Sequence, residues 1–253
     1  MAVRQGVDTA RGADQPCCGH FPNRLHFVLD MFYYFPSGGE GDMRVRCPVQ
    51  GAFEFYEDLP PRPKRPERLF FGLFPDCETS LFVRERAERI VSENHLEGSL
   101  LEPARLHISL HHLGDYKRLR DKFIYAAALA AKAVSMHPFE VTCRSIMSFE
   151  GAPSADGRMR RRPLVLLGES APLLELHECL GAAMRKNGLR AAGHFVPHMT
   201  LFYGRKPVAP QATDPIRFVV NEFALVHSKL WLTEYDVIER WPLRGQAVTG
   251  RRP

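Results

Sequence analysis

The sequence predicts a mixed α+β domain built as two similar lobes around a central cleft. Three observations point there. From Arg68 onward, apolar segments of strand type and helix type follow one another in an order that nearly repeats. A four-residue phrase, His-x-(Ser/Thr)-Leu, occurs twice, as His107-Ile108-Ser109-Leu110 and as His198-Met199-Thr200-Leu201. Each copy holds the same place in its half, inside a short apolar run that closes on a glycine, Leu106 to Gly114 and Phe195 to Gly204.

Taken in order, Leu69 to Phe74 reads as an apolar strand, and Thr79 to Asn94 as an amphipathic helix with Thr79 at its N-cap. Leu106 to Leu113 is the first motif strand, Tyr116 to Val134 an alanine-rich helix, and Phe139 to Phe149 an alternating strand. A loop from Gly151 to Arg162 carries Arg158, Arg160, Arg161 and Arg162. Leu164 to Leu167 is a buried strand, and Ala171 to Asn187 a helix closed by Gly188. Phe195 to Tyr203 is the second motif strand; Phe218 to Leu230 and Glu234 to Trp241 finish the domain. Internal identity is otherwise weak, so the duplication rests on element order and on the motif.

Residues 1–66 differ from the rest. They are rich in Gly, Pro and Arg, lack a helical period, and end in Pro60-Pro61-Arg62-Pro63-Lys64-Arg65-Pro66. The expectation is a largely disordered extension with a polyproline-like linker, then a folded domain over 67–243 and a basic flexible tail over 244–253. The extension holds 8 basic and 8 acidic residues, so the whole excess of +5 lies beyond it, which suits a phosphate-bearing substrate. No run of 18 apolar residues exists, and Leu25 to Phe35 is short and interrupted by Asp30, so no membrane association is expected. The amino terminus lacks a basic-then-apolar leader, and the six cysteines form no Cys-x-x-Cys pair; a cytoplasmic protein with reduced thiols is expected.

The paired phrase carries the chemistry. Chance gives roughly 0.1 copies of the four-residue form in a chain of this composition, and two copies on the order of once in a few hundred such chains. Side chains two apart on a strand share a face. His107, Ser109 and His111 therefore line one face of the first run, and His198, Thr200 and Phe202 one face of the second. Two imidazoles supply a general acid and a general base, and two hydroxyls supply hydrogen bonds to a phosphate, which suffices to open a phosphodiester without a metal or other cofactor. A metal set of His107, His111 and His112 is ruled out on a straight strand, where the first two stand about 13 Å apart. His111 is a candidate substrate contact, and Phe149 and Tyr203 are candidates for stacking on a base.

These residues resemble the two-histidine (2H) phosphoesterase superfamily, and within it the RNA 2′,3′-cyclic phosphodiesterase or 2′-5′ RNA ligase family. The resemblance spans roughly 67–243. It rests on Arg68 through Pro75, Leu106 through Leu110, Arg162 through Gly168, Phe195 through Leu201, and the ending from Ser228 through Tyr235 to Leu243. Two departures are visible. The basic residue common shortly before the second motif is replaced by Gly193-His194, and the arginine that often follows the motif leucine is delayed to Arg205. The resemblance implies antiparallel sheets flanking the cleft with helices outside. It implies metal-independent hydrolysis of a 2′,3′-cyclic phosphate of RNA or a nucleotide to a 2′-phosphate, with reversible 2′-5′ RNA ligation. His198 would be the base, His107 the acid, and Ser109 and Thr200 the phosphate binders; Arg205 joins His111, Tyr203 and Phe149 as a candidate substrate contact. RNA ends or cyclic nucleotides are the expected partners of a monomer. The alternatives are hydrolysis of another small cyclic or 2′-5′ nucleotide phosphodiester, and a non-catalytic RNA- or nucleotide-binding module.

Overall fold

The sheet is entirely antiparallel, and its strand order shows how the lobes are made. The structure, a computed structural model, describes residues 63–150, 161–230, 232 and 234–245, all within the unit Asp58–Pro253. The expectations for most of 1–66, for Arg158 and Arg160, and for most of the tail lie outside these residues. The elements are β1 (Glu67–Leu73), α1 (Cys77–Glu93), β2 (Gly98–Leu100), a 3-10 turn at Pro103–Arg105, β3 (Ile108–Tyr116), α2 (Asp121–Lys132) and β4 (Phe139–Ser148). They continue with β5 (Arg162–Glu169), α3 (Ala171–Lys186), β6 (His198–Gly204), β7 (Gln211–Val220), β8 (Glu222–Lys229) and β9 (Glu234–Pro242).

Across the sheet the order is β7-β4-β5-β6-β3-β1-β8-β9, with the short β2 also paired to β6. The two motif strands are the central neighbours, and they meet at one register pair, Ile108 with Met199. One lobe is therefore β3-β1-β8-β9 and the other β6-β5-β4-β7. Lobe membership departs from chain order: β4 joins the second lobe, while the chain returns at its end to complete the first. The segment expected as one strand from Phe218 to Leu230 is divided at Asn221, where the chain leaves β7, paired to β4, and enters β8, paired to β1. Pro215 sits inside β7 without cost to the ladder because β7 is an edge strand.

Helix limits follow local chemistry. α1 begins earlier than expected because Asp76, in extended backbone, is its N-cap; Asp76 Oδ1 accepts the Thr79 backbone N–H at 2.7 Å. Thr79 is the capped residue rather than the cap. α2 starts at Asp121 because Tyr116 completes β3. α3 ends where expected, with Gly188 in the left-handed region at φ 72°. Its stripe of Leu173, Leu176, Leu180 and Met184 is fully buried. These side chains join a single large core on one side of the sheet, with Leu69, Phe71, Ile108, Leu166, Met199 and Leu225. The opposite side of the sheet is the cleft. A small apolar cluster of Phe70, Ala224 and Val226, with Phe74 and Tyr235 against it, floors its first lobe.

Candidate active site

Ile108 and Met199, the residues after the two histidines, are both wholly buried in the core. Their neighbours on either side therefore point to the cleft. Continued by one residue each way, the antiparallel register sets His107 opposite Thr200 and Ser109 opposite His198. Diagonal partners in such a ladder lie about 7–8 Å apart, which is the relation of His107 to His198. The structure thus gathers His107, Ser109, His198 and Thr200 around one pairing at the seam of the lobes.

Both imidazoles are fixed in the same way. His107 Nδ1 lies 2.7 Å from the carbonyl of Arg105, and His198 Nδ1 lies 2.7 Å from the carbonyl of Val196. A carbonyl only accepts, so each Nδ1 carries a hydrogen, and each Nε2 is the ring nitrogen left free of that bond. In both cases the carbonyl belongs to the residue two before the histidine, a symmetry of backbone that the repeated spacing alone does not announce.

The surroundings differ. The His107 ring is packed by Phe70 at 5.0 Å, Phe74 at 5.6 Å and Tyr235 at 5.4 Å between centroids. Burial, with the Arg105 and His198 charges adding to it, pushes its pKa down to about 4. His107 is neutral at pH 7, and its Nε2 accepts the Ser109 hydroxyl at 3.0 Å. His198 has one aromatic neighbour, Phe149, edge-on at 4.8 Å. Phe149, the candidate for stacking on a base, therefore lies against the second motif histidine.

Two positions leave the expected face. β3 carries an extra residue, Leu110, between Ser109 and His111, and β6 carries an extra residue, Leu201, between Thr200 and Phe202. Each bulge reverses the alternation. His111 and Phe202 therefore turn into the core, 1% and 2% exposed. His111 is corrected from candidate substrate contact to structural residue: its Nδ1 accepts from Ala192 N–H at 3.3 Å and its Nε2–H donates to the His177 carbonyl at 2.8 Å. It stacks on His177, which stacks in turn on Phe195, three residues before His198. Tyr203 and Arg205 are exposed at and just beyond the end of β6, and neither hydrogen-bonds to an imidazole or makes a ring contact with one. Of the arginine loop, Arg161 donates to Ser99 Oγ at 3.1 Å and Arg162 opens β5.

Sequence reasoning missed Arg105, Phe70 and Phe74 as parts of this site. The signal for the phenylalanines was present: in Phe70-Phe71-Gly72-Leu73-Phe74, positions 70, 72 and 74 share one face, and Gly72 gives His107 room. Further along the cleft face, Arg68 pairs with Asp115 at 2.8 Å and, with His112 beside it, holds that carboxyl down at about 2. Among the described residues no three His, Cys, Asp or Glu side chains converge as a metal set, and no helix is long and apolar enough to cross a membrane.

Comparison with known proteins bears on this geometry. No curated protein matches the chain. Among solved structures, TT0787 of Thermus thermophilus is 25% identical, with 71% of this chain and 100% of that one covered at a TM-score of 0.55. E. coli LigT, solved with 3′-AMP, is 22% identical over 71% of this chain and 99% of its own, at a TM-score of 0.54. The sequence pattern of the 2′-5′ RNA ligase superfamily matches residues 78–230, which take in both histidine motifs. With that match over more than half its length, the chain belongs to the 2′-5′ RNA ligase superfamily, the two-histidine phosphoesterases.

Proposed function

We propose that the protein hydrolyses a 2′,3′-cyclic phosphate at an RNA end to a 2′-phosphate, by acid–base catalysis between His107 and His198. The observation that carries this reading is the pair of imidazoles with matched tautomers, each presenting Nε2 to one cleft. Water attacks phosphorus; His198 Nε2 takes its proton; the bond from phosphorus to the 3′-oxygen breaks; His107 Nε2 returns a proton to that oxygen. Solvent exchange resets both rings. Ser109 and Thr200 donate hydrogen bonds to the non-bridging oxygens, where charge grows in the transition state. With a 5′-hydroxyl in place of water, the same step forms a 2′-5′ link as the bond from phosphorus to the 3′-oxygen breaks, and its reversal cleaves that link.

His107 Nε2 carries no proton in the free protein, so its acid role depends on substrate. A phosphodiester charge about 4 Å away, at an effective dielectric near 20, contributes about 4 kcal/mol. That raises proton affinity about a thousandfold and restores an acid suited to neutral pH. Binding therefore loads the proton. It also draws the Ser109 hydroxyl from Nε2 to the phosphate.

An RNA end is favoured over a lone nucleotide by charge along β3. His107 and Ser109 stand at its start. At its far end, about 27 Å on, Arg65, Lys117 and Arg190 line a hollow of about 410 Å³, and Arg118, Arg120 and Lys122 follow. None of these six has an ion-pair partner among the described residues. A single strand of on the order of four or more nucleotides spans such a length. E. coli LigT, similar in fold, was solved in complex with 3′-AMP, which agrees with a nucleotide substrate.

The deciding experiment offers the purified protein 2′,3′-cyclic nucleotides, cyclic-ended oligoribonucleotides and 2′-5′ dinucleotides, with and without chelator, and identifies which hydroxyl keeps the phosphate. A 2′-phosphate made at an undiminished rate in chelator is expected. Only 3′-phosphate, or no turnover of any substrate, ends the proposal.

A further inference from the structure

We infer that Arg105 is an anion anchor of the cleft, its guanidinium laid on the Tyr235 ring to hold a non-bridging phosphate oxygen beside His107. The inference deepens the reading above, since it rests on the cleft taking a phosphate ester.

Four observations converge. Arg105 closes the 3-10 turn just before β3, with only the extended Leu106 between it and His107, and both side chains meet the Tyr235 ring. The guanidinium carbon sits 4.8 Å from the centre of the Tyr235 ring, and that ring meets His107 edge-on. Arg105 Nε is buried without a hydrogen-bond partner, and no carboxylate among the described residues pairs with the guanidinium. By contrast Arg68, Arg84, Arg86, Arg89 and Arg240 each pair with an acid. An arginine fixed by its own backbone and by an aromatic shelf, next to a catalytic imidazole, with a buried donor left open, is a donor set awaiting an anion.

The position also gives Arg105 two opposite effects on His107. Its carbonyl accepts the Nδ1–H and so favours the protonated ring, while its charge adds to burial in disfavouring it. A phosphate drawn in by the guanidinium then supplies the negative charge that loads the ring.

The test uses the full chain and inorganic phosphate, with 2′-AMP and adenosine as further arms, read by the imidazole NMR signals of His107. Arg105→Met is expected to weaken phosphate and 2′-AMP about 10- to 100-fold and to leave adenosine unchanged. Arg105→Lys should recover part of the loss. Guanidinium ion at millimolar concentration should restore phosphate binding to Arg105→Gly. Tyr235→Leu, which removes the shelf and keeps the charge, should weaken phosphate less than Arg105→Met does. Unchanged phosphate affinity in Arg105→Met, with the His107 Nδ1–H signal intact, overturns the inference; so does equal loss of adenosine. Should Arg105→Met fail to fold, the lysine and Tyr235 variants decide alone: no change in either overturns it. Phosphate binding requires no turnover, so an inactive protein that still binds phosphate through Arg105 refutes the hydrolase and keeps the anchor.

Discussion

His107 and His198 are held by the same hydrogen bond, ring Nδ1 to the carbonyl two residues back, yet one sits among three aromatic rings and the other beside one. The two motifs carry the same backbone device, which turns Nδ1 to the chain and Nε2 away from it. Packing then separated them. The first imidazole is neutral until an anion arrives and is partnered by Ser109; Thr200 in the second motif has no such bond to His198 among the described residues. The lesson is that chain geometry fixes direction and tautomer, while burial sets proton affinity, and the two are tuned independently.

The sharpest way to break this comparison is to remove each ring. His107→Ala and His198→Ala should each lower kcat by about 10²- to 10⁴-fold with near-normal circular dichroism, and the double variant should be little worse than either single one. Substantial turnover by either single variant would mean the rings do not divide proton transfer. Next in size is the loss of a hydroxyl. Ser109→Ala and Thr200→Ala should each cost about 10²-fold in kcat, but only Ser109→Ala should move the His107 nitrogen shifts of the free protein. Opening the aromatic box is a subtler probe. Phe74→Ser should raise the His107 pKa from about 4 toward the ordinary histidine value, measured by NMR titration. Lys117→Glu with Arg118→Glu should lower kcat/KM about tenfold on a cyclic-ended oligonucleotide at low salt and hardly at all on a cyclic mononucleotide.

The smallest effect concerns acid stability. His107 and His177 are both lowered to about 4, and His111 is lowered too, chiefly by burial. For His107 and His177 the unfolded chain takes up the proton near pH 6.5, whereas the folded chain resists until about 4. As pH falls through that window the unfolded state binds more protons, so stability falls, by at most about 1.4 kcal/mol per pH unit for each ring. His177→Phe should flatten the slope seen in denaturant titrations between pH 6.5 and 4.

Much of this was legible in sequence because it is local. Periodicity placed the motif strands and the helices, and the repeated phrase chose the four side chains that meet. What was illegible depends on pairing. The bulges at Leu110 and Leu201 exist only against a partner strand, so straight alternation put His111 on the wrong face. The exchange of β4 and of β8-β9 between lobes is likewise a property of the sheet rather than of any segment. Arg105 escaped notice because its usefulness comes from Tyr235, 130 positions away in the chain.

Among the described residues Ile108 and Met199 are the one register pair that joins β3 to β6, and the four motif side chains straddle it. An anion gripped from both banks would rivet the halves where the hydrogen-bonded fabric is thinnest. Occupancy should therefore show as cohesion: at a hundred times its dissociation constant, a ligand specific to the folded state adds about 2.7 kcal/mol, and amide exchange should slow first along that rung.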